Sequence, residues 1–238
     1  MSAGEPPTRE APEPPGDGSS PGENGQEPSR APRASALLKS RLVDAYREEF
    51  ALGLEWAAAD PTLEAAAARI TGARRRFVLG AASSFTHASL LAAKLSAALA
   101  QVTLVDGTIV RPLDILSDVR DSDVLIVISL RRWRSYTIDN ALPFVRAGGS
   151  LVVLTDSEEN PLVEHASEAV VMRSGAGEPF ARVPGGLRVH PESPQVSPIV
   201  VALVIDILAT LSSASAKGAG RRLAERERLA GELGLYRD

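Results

Sequence analysis

Residues 123–129 read DVLIVIS, and residues 130–141 continue as LRRWRSYTIDNA. The first part is a continuous apolar run, which is typical of a strand buried on both faces of a parallel sheet. The second part opens with three arginines around a tryptophan and then takes on the spacing of a helix. A buried strand that leads through a charged loop into a helix is part of a strand–helix–strand unit, and it predicts an α/β fold.

Apolar runs of the same kind recur on both sides of this stretch. Helical segments separate them, and the alternation predicts a doubly wound, five-stranded parallel sheet with right-handed crossovers. The expected strand order is 2-1-3-4-5, as in flavodoxin-like folds. The five predicted strands are Arg76–Gly80, Val102–Asp106, Val124–Ser129, Leu151–Asp156 and Ala169–Arg173.

The chain around this sheet divides into four segments. Residues 1–35 hold eight of the 17 prolines and six acidic residues against three arginines, and we expect a disordered tail there. Residues 36–72 are predicted as a helical lead-in, in which Asp60 caps the second helix and a proline follows at its first position. Residues 73–215 form the α/β domain, and residues 216–238 are predicted as a C-terminal helix.

The composition excludes several classes of function. The chain has no cysteine and only three histidines, which are far apart in the sequence, so we expect no metal site and no cofactor. No membrane span and no secretory signal are visible, and a soluble cytoplasmic protein is expected. The net charge is −4 and the tail is acidic, so the chain has no excess of positive charge to hold the phosphate backbone of nucleic acid, and we expect no direct DNA binding.

Two loops are predicted to meet where the strand order switches direction, the usual ligand site of such sheets. Residues 80–84 (GAASS) supply small residues and two hydroxyls at a helix N-terminus, and residues 129–135 (SLRRWRS) supply hydroxyls and guanidinium groups at another. Both features favour an anion. The predicted ligand-binding residues are Ser83, Ser84, Ser129, Arg131, Arg134 and Ser135.

Each of these residues also has an interpretation without a ligand. Ser83 and Ser84 can serve only as helix N-caps. Arg131 and Arg134 can pair with carboxylates across a subunit interface, and Arg132 is expected to face solvent. Trp133 can equally be an aromatic anchor that is packed in the core or in a subunit interface.

The order of segments in the chain resembles the sugar isomerase (SIS) domain family. The resemblance rests on FVLGAASS (77–84), VLIVISLRRWRSYTIDNA (124–141) and GGSLVVLTDSEENPLVEHASEAVVM (148–172), and it extends over about residues 60–215. Within that family, the chain resembles the sugar-phosphate-sensing domain of RpiR-type transcriptional regulators. The helix-turn-helix domain of those regulators is not recognisable ahead of this segment.

The resemblance implies that Ser83, Ser84 and Ser129 hold a sugar phosphate. In the family, the third strand is usually followed by further small and hydroxyl residues, whereas residues 130–134 of this chain are LRRWR. The arginines therefore either bind the phosphate by charge or fill the pocket and leave a ligand-free scaffold that acts through protein partners.

Catalysis is the less favoured interpretation. A sugar-phosphate isomerase needs a base near the substrate carbons, and the weak candidates are His87, His190 and Glu192. None lies in a recognisable motif, so we expect binding of a sugar phosphate or similar anion in a sensing or regulatory role. The apolar faces of the first and last helices predict a homodimer or a higher homo-oligomer.

Overall fold

The computed structural model describes residues 30–174 and 196–236 of the 238-residue chain, with side chains from residue 35 onward. Five strands lie parallel in one sheet in the order 2-1-3-4-5, which confirms the predicted doubly wound α/β class. The strands are β1 (Arg76–Gly80), β2 (Val102–Val105), β3 (Val124–Ile128), β4 (Ser150–Thr155) and β5 (Glu168–Val171).

Helices cover both faces of this sheet. They are α1 (Arg30–Ala59), α2 (Thr62–Gly72), α3 (Ser83–Ala98), α4 (Pro112–Leu116), α5 (Ser135–Arg146), α6 (Pro198–Ser215) and α7 (Ala219–Glu232). Most bounds lie within three residues of those expected, but α1 begins at Arg30, six residues before the predicted Ala36. The helix expected before β5 is a single 3₁₀ turn, Val163–His165. Residues 1–29 of the predicted tail lie outside the described residues.

The apolar run of β3 is continuous because both of its faces are buried. Val124, Ile126 and Ile128 contribute to the apolar cluster formed with α2, α3 and α6. Leu125 and Val127 point to the opposite side and join the cluster formed with α4 and α5. Side chains alternate between the two faces of a strand, so a strand in the middle of a three-layer fold must be apolar at every position.

The α6 helix lies between α2 and α3 on one face of the sheet. Its 18 residues are long and apolar enough to cross a membrane by length and composition. Val200, Val204, Ile205 and Leu208 are fully buried against the domain, however. This packing makes α6 a core helix of the α/β domain.

The connection between α1 and α2 follows the predicted capping chemistry. Asp60 Oδ1 accepts a hydrogen bond of 2.8 Å from the Thr62 N–H, as expected of an N-cap residue with Pro61 at the first helical position. Close packing of α1 on α6 also depends on Gly53, because a Cβ at this position would lie 2.8 Å from Val200 Cγ2. These two features fix the course of α1 past the start of α6.

The amino edge of the sheet is held together by a buried carboxylate. Asp123, which has no exposed side-chain surface, accepts hydrogen bonds from Arg74 Nε at 3.0 Å and from Arg75 Nη2 at 2.7 Å. The Arg120 N–H donates a further bond of 3.1 Å. Burial raises the pKa of Asp123, but the hydrogen bonds from Arg75 and Arg74 outweigh it and lower the pKa to about 2.

Candidate functional site

The candidate site lies at the carboxyl edge of the sheet, where β1 and β3 pair directly and their chains continue to opposite faces. Gly80 ends β1 at this point. A Cβ at Gly80 would lie 2.5 Å from the carbonyl oxygen of Ser84. Only glycine therefore lets the first turn of α3 lie so close to the end of the strand.

The loop between β1 and α3 has an unusual backbone. Ala82 has a φ of +54° and a ψ of −125°, a conformation that costs a residue with a Cβ about 1–3 kcal/mol. Ser83 and Ser84 are the first two residues of α3, and no side-chain hydrogen bond caps this helix. The interpretation of the two serines as N-caps is therefore wrong. Ser84 is buried, whereas Ser83 is exposed at the edge of the sheet.

The loop after β3 directs Arg131 back onto the protein. Its Nη2 donates to Ser157 Oγ at 3.0 Å and to Glu159 Oε2 at 2.7 Å, and its backbone N–H donates to Asp156 Oδ1 at 3.1 Å. The guanidinium carbon lies 5.4 Å from the centre of the Trp133 ring. Arg131 thus pairs with a carboxylate of its own chain.

Asn160 fastens the ends of β3 and β4 to one another. Its Nδ2 donates to the Ser129 carbonyl at 2.9 Å and to Thr155 Oγ1 at 3.0 Å, and its Oδ1 accepts from the Leu162 N–H at 3.0 Å. This segment contains none of the predicted site residues. Its signal is the polar run DSEEN at residues 156–160, immediately after the apolar β4.

Several buried polar atoms at this edge lack a partner. Among residues 35–174 and 196–236, the buried side-chain nitrogen and oxygen atoms without a hydrogen bond are Glu49 Oε2, Ser129 Oγ, Arg131 Nε, Trp133 Nε1, Ser197 Oγ and Ser212 Oγ. Three of these atoms belong to the loop after β3, and all three can donate a hydrogen bond. A buried donor without an acceptor costs about 1–3 kcal/mol, so this loop is incomplete without a group that accepts.

The remaining predicted residues lie at the start of α5. Arg134 is exposed at the N-cap position, where its carbonyl accepts hydrogen bonds from the Thr137 and Ile138 N–H groups. Ser135, the first residue of α5, is also exposed. Arg132 is exposed, as expected. The structure therefore brings Arg134 and Ser135 to the same edge as Ser129, with their side chains open to solvent.

Of the three catalytic candidates, one falls within the described residues. His87 lies one turn after Ser84 on α3, and it is half-buried. Burial lowers its pKa, which favours the neutral imidazole at pH 7. His190 and Glu192 lie outside the described residues.

A cavity of about 450 Å³ opens at the opposite, amino edge of the sheet. Its charged lining includes Arg69 and Glu168, which lie 3.5 Å apart as an ion pair, and the buried Asp123, which is paired with two arginines. These charges are balanced within the chain, in contrast to the unpartnered donors of the carboxyl edge.

Comparison with known proteins agrees with this geometry. Residues 69–184 match the model of the SIS domain. A comparison with curated proteins finds no match. Solved structures with the same fold include the sugar isomerase domain of an RpiR transcription factor from Sphaerobacter thermophilus. It is 21% identical with a TM-score of 0.63, over 78% of this chain and 97% of that one.

Two further structures share the fold at lower identity. The Vibrio vulnificus NanR protein complexed with ManNAc-6P is 17% identical with a TM-score of 0.64, over 84% of this chain and 73% of that one. A Methanococcus jannaschii protein, for which a 3-hexulose-6-phosphate isomerase function was inferred, is 14% identical with a TM-score of 0.57. The alignment covers 78% of this chain and 97% of that one.

The five-stranded parallel sheet with its flanking helices thus matches the fold of these solved structures. Ahead of β1, the part of the chain that the structure describes holds α1 and α2 and no helix-turn-helix domain. Residues 69–184 of this chain are a SIS domain, with the fold of the sugar isomerase domain of RpiR-type regulators.

Proposed function

We propose that this protein binds a phosphorylated sugar at the carboxyl edge of the sheet, in a sensing or regulatory role without direct contact to DNA. The observation that carries the proposal is a set of buried donors in one loop, Ser129 Oγ, Arg131 Nε and Trp133 Nε1, which have no acceptor among the described residues. A phosphate group supplies several acceptor oxygens in a small volume. The helix N-termini of α3 and α5 face the same edge and favour a negative charge.

The charge for this site comes from Arg134 more than from Arg131. Glu159 already balances the guanidinium of Arg131, which is fixed 2.7 Å from that carboxylate. Arg134 is exposed at the start of α5 and can turn toward a bound dianion. We therefore assign the Nη2 end of Arg131 to shaping the loop. The ligand is assigned to the Nε–H of Arg131 and the Nε1–H of Trp133, together with Arg134, Ser135, Ser83, Ser84 and Ser129.

The comparisons support a sugar phosphate as the ligand class. The NanR structure, which shares the fold, is complexed with ManNAc-6P. A sensing role is preferred to isomerisation because none of the candidate bases, His87, His190 and Glu192, lies in a recognisable motif. We further propose that the protein acts in the cytoplasm.

We also infer a homodimer formed through α1. Leu37, Leu38, Val43 and Tyr46 are at least 38% exposed on a helix about 45 Å long. Residues 35–43 carry two positive charges, and residues 44–59 carry four acidic residues against one arginine. Two copies of α1 packed antiparallel would place each positive half over the other copy's negative half, as a two-fold interface requires.

Light scattering tests the dimer. We expect a mass of twice 25.1 kDa, and Leu38→Glu together with Val43→Glu should return the chain to a monomer. The matched control is Leu90→Glu, a change at another exposed leucine, which lies on α3. A monomer for the unaltered chain at micromolar concentration would contradict the inference.

Ligand-dependent melting tests the binding function. Glucose 6-phosphate, fructose 6-phosphate and N-acetylmannosamine 6-phosphate are compared with inorganic phosphate and with the unphosphorylated sugars. At 100 times its dissociation constant, a ligand stabilises the protein by about 2.7 kcal/mol, which gives a visible rise in Tm.

The variants assign that rise to the site. Arg134→Ala should reduce the shift, while Arg146→Ala, a change at an exposed arginine in the last turn of the same helix, should preserve it. No shift with any phosphorylated compound would overturn the proposal and favour the ligand-free scaffold.

A further inference from the structure

Glu49 of α1 is bound to the carboxyl edge of the sheet by two hydrogen bonds. Its Oε1 accepts from the backbone N–H of Ser197 at 2.8 Å and from Ser174 Oγ at 2.9 Å. Ser174 follows β5, and Ser197 is the residue that precedes the first turn of α6. One carboxylate oxygen thus ties α1 to both the end of a strand and the start of a core helix.

The other atoms of this group are left without partners. Glu49 Oε2 is buried and accepts no hydrogen bond from the described residues, and Ser197 Oγ is buried and unpaired in the same part of the chain. Ser197 is only 4% exposed, and although it stands at the N-cap of α6, its hydroxyl makes no capping bond. The chain therefore buries an unused acceptor and an unused hydroxyl next to the same helix end.

A hydroxyl group of a ligand is complementary to this pair. It can donate to the carboxylate oxygen and accept from the serine hydroxyl, whereas the phosphate group of a sugar phosphate, as the dianion, can only accept and would be repelled by the carboxylate. The chemistry of this position is thus opposite to that of the donor-rich loop after β3. A molecule with an anion at one end and hydroxyls at the other matches both positions.

The two positions lie at the same edge of the domain. Val196, next to Ser197, and Leu130, next to Ser129, belong to one apolar cluster. Ser174 follows β5, which lies two strands from β3 and three from β1. The switch point is therefore about 10–14 Å away along the edge at a strand spacing of about 4.8 Å. This separation is in the range that a sugar phosphate of five or six carbons spans.

We propose that Glu49 and Ser197 bind a hydroxyl group of the sugar whose phosphate occupies the β1–β3 switch point. This inference rests on the proposed function and deepens it, because it assigns the sugar end of the ligand and the selection of sugar phosphates over free phosphate. It also gives binding a mechanical consequence. A ligand held by Glu49 fastens α1 to the domain, so occupancy is transmitted to the exposed, apolar N-terminal half of α1.

Calorimetric titration of the full chain separates the two ends of the site. The probes are inorganic phosphate, arabinose 5-phosphate, glucose 6-phosphate, fructose 6-phosphate and N-acetylmannosamine 6-phosphate. We expect at least one sugar phosphate to bind more tightly than inorganic phosphate. Glu49→Gln should lower the affinity for that sugar phosphate by about tenfold or more, because hydrogen bonds to a charged group are stronger than those to a neutral one. The affinity for inorganic phosphate should not change.

The controls keep fold and function apart. Glutamine retains an oxygen for Ser197 N–H and Ser174 Oγ, so Glu49→Gln should fold, and Ser197→Ala is a second variant that leaves the backbone bond to Glu49 intact. Glu48→Gln changes a neighbouring, exposed glutamate on the same helix and should not alter binding. Hydrogen exchange in α1 should slow with the sugar phosphate in the unaltered chain and not in Glu49→Gln.

The outcomes are distinct. Equal affinity of the unaltered chain and of both variants for a sugar phosphate overturns the assignment of Glu49 and Ser197 while the proposed function stands. Equal affinity of the unaltered chain for inorganic phosphate and for every sugar phosphate also overturns it. If neither phosphate nor any sugar phosphate binds, the proposed function fails and this inference fails with it.

Discussion

Polar side chains are buried at both edges of the sheet. Around Asp123, at the amino edge, they are paired within the described part of the chain, whereas the loop after β3, at the carboxyl edge, holds donors that are not. At the amino edge, Asp123 accepts hydrogen bonds from Arg74, Arg75 and the Arg120 backbone. At the carboxyl edge, donors of Ser129, Arg131 and Trp133 are buried and find no acceptor in residues 35–174 and 196–236.

This difference separates stability from binding. A buried group with all its hydrogen bonds stabilises one arrangement of the chain, and removing its partner is costly. A buried donor without a partner destabilises the empty protein, and that free energy is recovered when a ligand supplies the acceptor. Substitution of the buried, paired Asp123 should therefore change stability, and substitution of the unpaired donors in the loop after β3 should change affinity.

The largest effect is expected at Asp123. Asp123→Asn removes the charge that balances two arginines at a buried position, and we expect it to lower the free energy of unfolding by about 3 kcal/mol. Urea denaturation measures this change. Asp121→Asn, two residues away and exposed, is the control and should change stability by less than about 0.5 kcal/mol. Equal effects of the two variants would mean that the buried cluster does not hold the amino edge together.

The same carboxylate predicts how stability depends on pH. The pKa of Asp123 is about 2 in the folded protein against an ordinary value of 3.8, so the unfolded chain binds the proton more readily. The contribution is complete above about pH 4 and is lost as the pH falls toward 2, a total of about 2 kcal/mol. Urea denaturation of the unaltered chain and Asp123→Asn at pH 5, 4, 3 and 2 should show their difference shrinking over this window. A constant difference would contradict the pairing.

The sequence predicts the fold more completely than the site, and for a physical reason. A strand such as β3 shows its burial in its own residues, because both faces must be apolar. The direction of Arg131, in contrast, is set by Ser157 and Glu159, which are more than 25 residues away and reach it only through the pairing of β3 with β4.

Glu49 shows the same limit more strongly. Its partners, Ser174 and Ser197, are 125 and 148 residues away in the chain. On the sequence it is one of several glutamates on an amphipathic helix, and nothing in the spacing distinguishes it from Glu48. The exposed serines and Arg134 could be found because a loop between a buried strand and a helix is a local pattern.

At the carboxyl edge, Ser129→Ala should separate affinity from stability. Ser129 is 3% exposed, and its hydroxyl has no partner among the described residues. Removing the hydroxyl should therefore change the free energy of unfolding by less than about 1 kcal/mol, and we expect an increase. The affinity for sugar phosphate should fall about tenfold in calorimetry, since the ligand loses a buried donor. Ser122→Ala at the amino edge, where the serine is exposed, should change neither quantity. A loss of stability without a loss of affinity would reverse the assignment of this edge.

The smallest effect is expected at Ala82, where the carboxyl edge carries backbone strain. Glycine accepts a φ of +54° without a Cβ clash, so Ala82→Gly should raise the free energy of unfolding by about 0.5–1 kcal/mol despite the greater chain entropy of glycine. Ala81→Gly, at the preceding position, relieves no such strain and should lower the free energy of unfolding by a similar amount. If the close approach of α3 to β1 strains the backbone of Ala82, urea denaturation should show changes in the free energy of unfolding of opposite sign for the two variants. The same sign for both would show that this loop, unlike the donors of Ser129 and Trp133, does not add to the destabilisation of the empty site.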